Sequence, residues 1–97
     1  MSLDELLNNI EVRPSMYLGT RSISCLKAFI DGWILAMGNR ADEARFLYDF
    51  QEWLQEKYDI TSTQSWAKII LFFSQDETDA LDNFFLLLNE YRKKYGG

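Results

Sequence analysis

Apolar residues recur at helical spacing in five stretches of the chain. Spacings of three, four and seven residues place apolar side chains on one face of an α-helix. They predict helices at about residues 3–10, 22–37, 44–58, 66–73 and 75–94. The run WAKIILFF at 66–73 also has the composition of a buried strand, but Ser62 or Ser65 as N-cap and the flanking helices favour a helix. The pattern predicts an all-α, single-domain bundle of about five helices over residues 1–97.

Several helix ends carry their own signals. Ser2–Glu5 and Ser74–Glu77 each have the form of a capping box, a hydroxyl followed three residues later by a carboxylate. Thr20 or Ser22 is a candidate N-cap for the second helix, and Gly38 is a candidate for its left-handed C-terminal residue. Residues 39–43 are then expected to form a loop.

A loop at residues 11–21, which contains the only proline of the chain, separates the first two helices. Pro14 biases the residue before it toward extended backbone and so ends the first helix. We expect this loop to turn the chain and to insert three apolar side chains into the core, namely Met16, Tyr17 and Leu18.

Gly32 lies in the middle of the second predicted helix. A glycine there destabilises a helix by about 1 kcal/mol relative to alanine. We expect a neighbouring helix to pass close to Gly32, which would explain why no side chain is present.

The composition indicates a globular domain and excludes several classes of protein. A chain of 97 residues with 47% hydrophobic and 15% aromatic residues is too apolar to be disordered. Its single cysteine cannot form an intrachain disulfide, which is typical of a reducing compartment. The acidic N-terminus is unlike a signal peptide, and no uninterrupted apolar run exceeds five residues. We therefore expect a cytoplasmic protein.

The charges are distributed unevenly along the chain. Residues 1–40 carry four acids and four bases, whereas residues 42–90 carry eleven acids and three bases. Three bases at 92–94 follow. The acidic second half argues against direct nucleic-acid binding, which needs a basic surface, and it favours a basic protein partner.

The residues offer no pattern that points to a reaction or a cofactor. The chain has no histidine, which removes the usual general base and the usual metal ligand. Cys25 therefore lacks a histidine to activate it, and the pattern favours a small core residue over a reactive thiol. The acids at 76–82 already have an explanation at a helix start. We expect neither catalysis, nor a metal, nor a cofactor.

The heptapeptide RPSMYLG at residues 13–19 is similar to a turn near the start of the gyrase-type ATPase domain. In that family the following helix carries a catalytic glutamate and a metal-binding asparagine. The corresponding stretch here, residues 24–31, contains neither, and the glycine-rich nucleotide loop is absent. We interpret the heptapeptide as a structural turn.

The layout of the whole chain resembles the small immunity proteins encoded beside bacterial polymorphic and contact-dependent growth-inhibition toxins. The resemblance rests on five motifs: RPxMYLG at 13–19, [ST]xxxLxAFxxG[WY] at 22–33, FQxW at 50–53, SWAxI[IL] at 65–70 and DxFFxLLxEY at 82–91. It implies a cytoplasmic antitoxin that binds one cognate toxin and blocks its active site. Many such toxins are basic nucleases, ribonucleases among them. The binding residues vary within the family, so none is transferred to this chain.

The charge pattern itself suggests a partner-binding face on the third and fifth predicted helices. Trp53 or Trp66 at its rim is a candidate anchor, although all the tryptophans fit a core equally well. The alternative function is a structural or regulatory helical domain that forms homo-oligomers through exposed aromatic residues without a toxin partner. The candidate partner-binding residues are Asp49, Glu52, Glu56, Asp76, Glu77, Asp79 and Asp82.

Overall fold

The computed structural model describes residues 1–95, which form six α-helices, one 3₁₀ segment and no β-strand. The predicted all-α class is confirmed. The last two residues of the predicted domain, Gly96 and Gly97, lie outside the described residues. The elements are α1 (Leu3–Val12), α2 (Pro14–Leu18), α3 (Ile23–Met37), the 3₁₀ segment (Gly38–Ala44), α4 (Phe46–Lys57), α5 (Trp66–Phe72) and α6 (Glu77–Tyr95).

The ambiguous apolar run folds as helix α5. Ser65 is its N-cap, and the Ser65 hydroxyl accepts a hydrogen bond from the Lys68 amide at 3.2 Å. The Gln51 side chain of α4 accepts another from the Trp66 amide at 3.1 Å. These acceptors satisfy first-turn amides that would otherwise lack partners, which favours a helix over a strand.

The predicted loop at 11–21 contains α2, which begins at Pro14 and is followed by its C-cap Gly19 in the left-handed region with φ 78°. Proline suits the first helical position because its missing amide hydrogen is not needed there. The prediction that Met16 inserts into the core is wrong, since its side chain is 71% exposed. Tyr17 and Leu18 are half-buried against the core. Consecutive helical residues point about 100° apart, so these three side chains cannot all face inward.

The predicted capping box at Ser74–Glu77 is wrong in its register. The chain continues to turn after α5, so the Ser74 hydroxyl donates to the Ile70 carbonyl at 2.6 Å. Asp76 takes the N-cap position of α6, and its Oδ1 accepts from the Asp79 amide at 2.8 Å. Helix α6 therefore begins two residues later than the sequence pattern predicts.

Two further expectations from the sequence are wrong. Residues 38–44 form the 3₁₀ segment in place of the loop predicted at 39–43. The expected close neighbour of Gly32 is absent from residues 1–95, because a Cβ atom built at Gly32 would meet nothing within 4 Å. Gly32 lies on the exposed side of α3.

One cluster of apolar side chains forms the core, and Phe50 and Phe84 lie fully buried within it. Their rings meet edge to face with centroids 5.8 Å apart. Trp53 and Trp66 are 8% and 4% exposed, so both belong to the core, and the idea of either as a rim anchor is wrong. None of the helices in residues 1–95 combines the length and the apolar character that a membrane crossing requires.

Candidate partner-binding surface

Three of the predicted acidic residues lie together on α4. Asp49, Glu52 and Glu56 are exposed and recur at helical spacing, as the sequence predicted. They line one wall of a groove of about 260 Å³ between α4 and the C-terminal turns of α6. Within residues 1–95, none of the three forms an ion pair with a lysine or an arginine. Their negative charges are therefore not neutralised by an ion pair within the described residues.

Aromatic side chains form the rest of this groove. Trp53 and Tyr91 meet with ring centroids 5.6 Å apart, and Tyr91 lies 5.0 Å from Tyr95 by the same measure. The Trp53 ring stacks against the Phe50 ring, with centroids 6.0 Å apart. The outermost ring, Tyr95, is 56% exposed. The groove thus has an aromatic floor beside a row of carboxylates.

The pKa of Tyr91 is raised by burial first, and then by the negative charge of Asp49 and by Tyr95. Each of these influences disfavours a phenolate. Tyr91 therefore keeps its proton at neutral pH and presents a hydroxyl that can both donate and accept a hydrogen bond.

Cations border the groove at one end. Lys57 bonds the Glu90 carboxylate at 3.0 Å, and its Nζ lies 5.4 Å from the centroid of the Trp53 ring. Lys94 lines an adjoining groove of about 280 Å³ together with Glu56 and Glu90. Lys57 and Lys94 therefore offset part of the negative charge at the Glu56 end of the groove.

The remaining predicted acids lie at the other end of α6 and mostly serve the fold. Asp76 caps α6, while Asp79 accepts from the Gln75 amide at 2.9 Å. Asp82 forms an ion pair with Arg21 at 2.7 Å. Twelve residues of helix, or about 18 Å, separate Asp79 from Tyr91. The structure therefore divides the predicted acidic face into two separate groups.

Glu77 has a structural task that the sequence did not suggest. Its Oε1 accepts hydrogen bonds from the Ser22 hydroxyl at 2.7 Å and from the Ser24 amide at 2.9 Å. Its Oε2 accepts from the Ser24 hydroxyl at 2.7 Å. The Ser24 amide is the largest influence that lowers the pKa of Glu77, followed by the Ser22 and Ser24 hydroxyls. Glu77 thus binds the N-terminus of α3 to the start of α6.

Glu43 similarly connects the 3₁₀ segment to the N-terminus of α1, and the sequence analysis did not predict this role. Its Oε1 accepts from the Leu3 amide at 2.9 Å, and its Oε2 accepts from Arg40 Nε at 2.9 Å. The pKa of Glu43 is lowered first by the Arg40 hydrogen bond and then by the Leu3 amide. A glutamate in a presumed loop carries no local signal for a helix forty residues away.

Within residues 1–95, no group of three or more histidine, cysteine, aspartate or glutamate side chains is arranged to hold a metal ion. The predicted core position of Cys25 is only partly met, because its side chain is half-exposed.

Comparison with known proteins adds no relative: no family model matches the sequence, and no curated protein or solved structure shows significant similarity to it.

Proposed function

We propose that the protein is an immunity-type inhibitor that binds a cationic toxin domain, a ribonuclease or another nuclease, and blocks its active site. The observation that carries the proposal is the row of Asp49, Glu52 and Glu56, exposed and free of ion pairs within residues 1–95, beside an aromatic groove. The resemblance of the sequence motifs to toxin-immunity proteins supplies the kind of partner.

The proposed mechanism is competition for the cations that a nuclease uses to hold phosphate. Nucleases bind the nucleic-acid backbone through lysine and arginine side chains. Carboxylates on α4 offer those side chains an alternative anionic surface, and opposite charges also speed the encounter. The exposed ring of Tyr95 can contact the apolar stem or the charged head of such a side chain.

The structure narrows the proposed contact residues. Asp76, Glu77 and Asp79 already accept hydrogen bonds from backbone amides at helix starts, and Asp82 neutralises Arg21. Replacing the three capping residues would damage the fold before it tested binding. The proposed interface is therefore the α4 row and Tyr95.

Charge reversal on α4 tests the proposal. The Asp49→Lys, Glu52→Lys, Glu56→Lys triple variant is co-expressed with the product of the neighbouring gene, which the proposal expects to be a toxin domain, and growth and co-purification are measured. We expect loss of protection and a fall in affinity of at least about 100-fold, because three attractive contacts become repulsive. Glu11→Lys is the matched control, since Glu11 is another exposed acid without an ion pair within residues 1–95.

A salt titration tests whether binding is electrostatic, which co-purification alone does not show. The affinity of the unmodified protein for the toxin domain should fall as ionic strength rises, and the triple variant should lose most of that dependence. An affinity indifferent to salt would contradict the acidic-surface mechanism. Full protection by the triple variant would contradict the assigned site.

A further inference from the structure

The α4 row, which consists of Asp49, Glu52 and Glu56, differs from most other acids of the protein in its lack of contacts. Within residues 1–95, all six ion pairs use carboxylates outside the row. Further acids accept hydrogen bonds at helix starts. In the same part of the chain, only Glu11 and Asp59 also lack both kinds of contact, and neither lines the groove between α4 and α6.

The spacing of the row is unfavourable for the isolated helix. Glu52 lies three residues after Asp49 and four residues before Glu56, and like charges at these spacings repel each other. The helix dipole favours Asp49 in the first turn of α4, but its effect does not extend to the two glutamates. A cation bound to the row would offset this repulsion.

The protein's own lysines show that the aromatic rings beside the row take cations. Lys94 Nζ lies 5.9 Å from the centroid of the Tyr95 ring, and Lys57 Nζ lies 5.4 Å from that of Trp53. Both lysines line the adjoining groove together with two glutamates. Tyr95 borders both grooves. The groove of the α4 row has the same carboxylates and rings, but its lining within residues 1–95 includes no lysine or arginine.

We propose that the groove between α4 and α6 binds one arginine side chain of the cationic partner. Its guanidinium donates hydrogen bonds to Asp49 and Glu52 while its plane lies against the ring of Tyr95. The two lysines share a groove with Glu56 but not with Asp49 or Glu52, which places the arginine at the latter pair. This inference rests on the proposed function, because it assigns the anchoring side chain of that same partner.

The size and shape of the groove suit a single side chain. Its volume of about 260 Å³ is at or below the roughly 300–1,000 Å³ of pockets that enclose small molecules. The Tyr91 and Tyr95 rings are inclined at 40° with centroids 5.0 Å apart. After burial, the negative charge of Asp49 is the largest influence that raises the pKa of Tyr91, so this carboxylate lies near the rings.

The arrangement favours arginine over lysine. Asp49 and Glu52 present carboxylates on successive turns of α4, beside an aromatic ring. A guanidinium carries five N–H donors in one plane, so it can bond two carboxylates and still stack its flat face on a ring. An ammonium is a compact, strongly hydrated point charge and cannot make both contacts equally well.

A titration followed by NMR chemical shifts tests the inference on the full chain without a toxin domain. N-acetyl-arginine amide and N-acetyl-lysine amide each carry one positive charge, so they differ only in the side chain. At matched low ionic strength, the arginine probe should bind with a dissociation constant of about 1–30 mM, at least about three-fold tighter than the lysine probe. The shifts should centre on Asp49, Glu52 and Tyr95. Equal affinities, or shifts centred elsewhere, would overturn the inference.

Two double variants with the same change of charge assign the site. Asp49→Asn with Glu52→Gln should weaken the arginine probe at least about ten-fold, because both acceptors lose their charge. Asp59→Asn with Glu11→Gln is the matched control and should weaken it less than about two-fold. Tyr95→Leu should weaken the arginine probe about two- to five-fold and remove its advantage over the lysine probe. Similar losses in both double variants would indicate unspecific charge attraction and refute the site.

Competition in the complex with the product of the neighbouring gene separates this inference from the proposed function. A probe at ten times its dissociation constant should weaken that complex about ten-fold, and the arginine probe should act at the lower concentration. If charge reversal of the α4 row abolishes protection but the two probes compete equally, the arginine anchor is wrong and the proposed function stands. If the charge-reversed protein still protects fully, the proposed function fails, and the arginine anchor fails with it.

Discussion

The contact of Glu77 with the N-terminus of α3 makes a sharp prediction about stability. The Glu77 carboxylate accepts three hydrogen bonds, from the Ser24 amide and from the Ser22 and Ser24 hydroxyls, at 2.7–2.9 Å. Ser22 is itself the N-cap of α3 and is buried. Glu77→Ala removes the acceptor from all three donors while α6 keeps Asp76 as its own cap.

The expected cost of Glu77→Ala is about 2 kcal/mol in the free energy of unfolding. Loss of a helix-capping acceptor costs about 0.5–2 kcal/mol. A buried hydroxyl left without its acceptor adds about 1 kcal/mol. Solvent screens the half-buried carboxylate, so we place the total cost toward the lower end of the sum of these two costs. For a domain of this size, about 2 kcal/mol corresponds to a fall in Tm of roughly 8–16 °C.

The pH dependence of this difference follows from the lowered pKa of Glu77. The folded-state pKa lies below the ordinary value of 4.5, so the contribution of the carboxylate is fully present at neutral pH. As pH falls below about 4.5, the unfolded chain takes up the proton first, and the contribution is lost as pH passes through the folded-state pKa. The stability difference between the unmodified protein and Glu77→Ala should therefore narrow in acid.

Thermal and urea unfolding, followed by circular dichroism from pH 7 to about pH 3, measures this difference. Glu52→Ala is the control, because this exposed acid has no ion pair within residues 1–95 and should change stability by less than about 0.5 kcal/mol. The reasoning is refuted if Glu77→Ala melts within about 2 °C of the unmodified protein at pH 7. It is also refuted if the difference persists unchanged in acid.

Three further changes probe the fold. Glu43→Ala should lower the thermal midpoint and the hydrogen-exchange protection of α1, because the Leu3 amide loses its acceptor, and this loss should also fade below pH 4.5. Trp53→Ala should cost about 3–5 kcal/mol in urea unfolding, because it empties a core position; a smaller cost with loss of binding alone would restore it as a rim anchor. Tyr17→Ala should cost about 1–2 kcal/mol, since its ring is half-buried, without changing the partner recovered in co-purification.

Much of the helical pattern was predictable because it depends on local spacing. The apolar stripes located all five long or buried helices within a few residues, and Ser22 and Ser65 were each one of two candidate caps. Such signals lie within one helical turn of the residue that they affect. The local prediction was wrong at Ser74, because the Ser74 hydroxyl donates to the Ile70 carbonyl of the preceding helix and does not cap α6.

The candidate surface was only partly predictable. The row on α4 follows from helical spacing alone, so Asp49, Glu52 and Glu56 were found correctly as neighbours. The contribution of Tyr91 and Tyr95 depends on how α6 crosses α4, which local spacing does not show. Local spacing also could not show that the Glu77 carboxylate accepts hydrogen bonds at the start of another helix, α3.

The sequence by itself determined an all-α domain, the approximate helices and the acidic row on α4, because hydrophobic period and charge are properties of neighbouring residues. The tertiary structure decided that Glu77 caps α3 from 53 residues away and that Glu43 caps α1 from 40 residues away. It also decided that Met16 faces solvent and that Gly32 has open space above it. These outcomes depend on which helix faces meet, and burial and hydrogen bonding between distant residues exist only once the chain has packed.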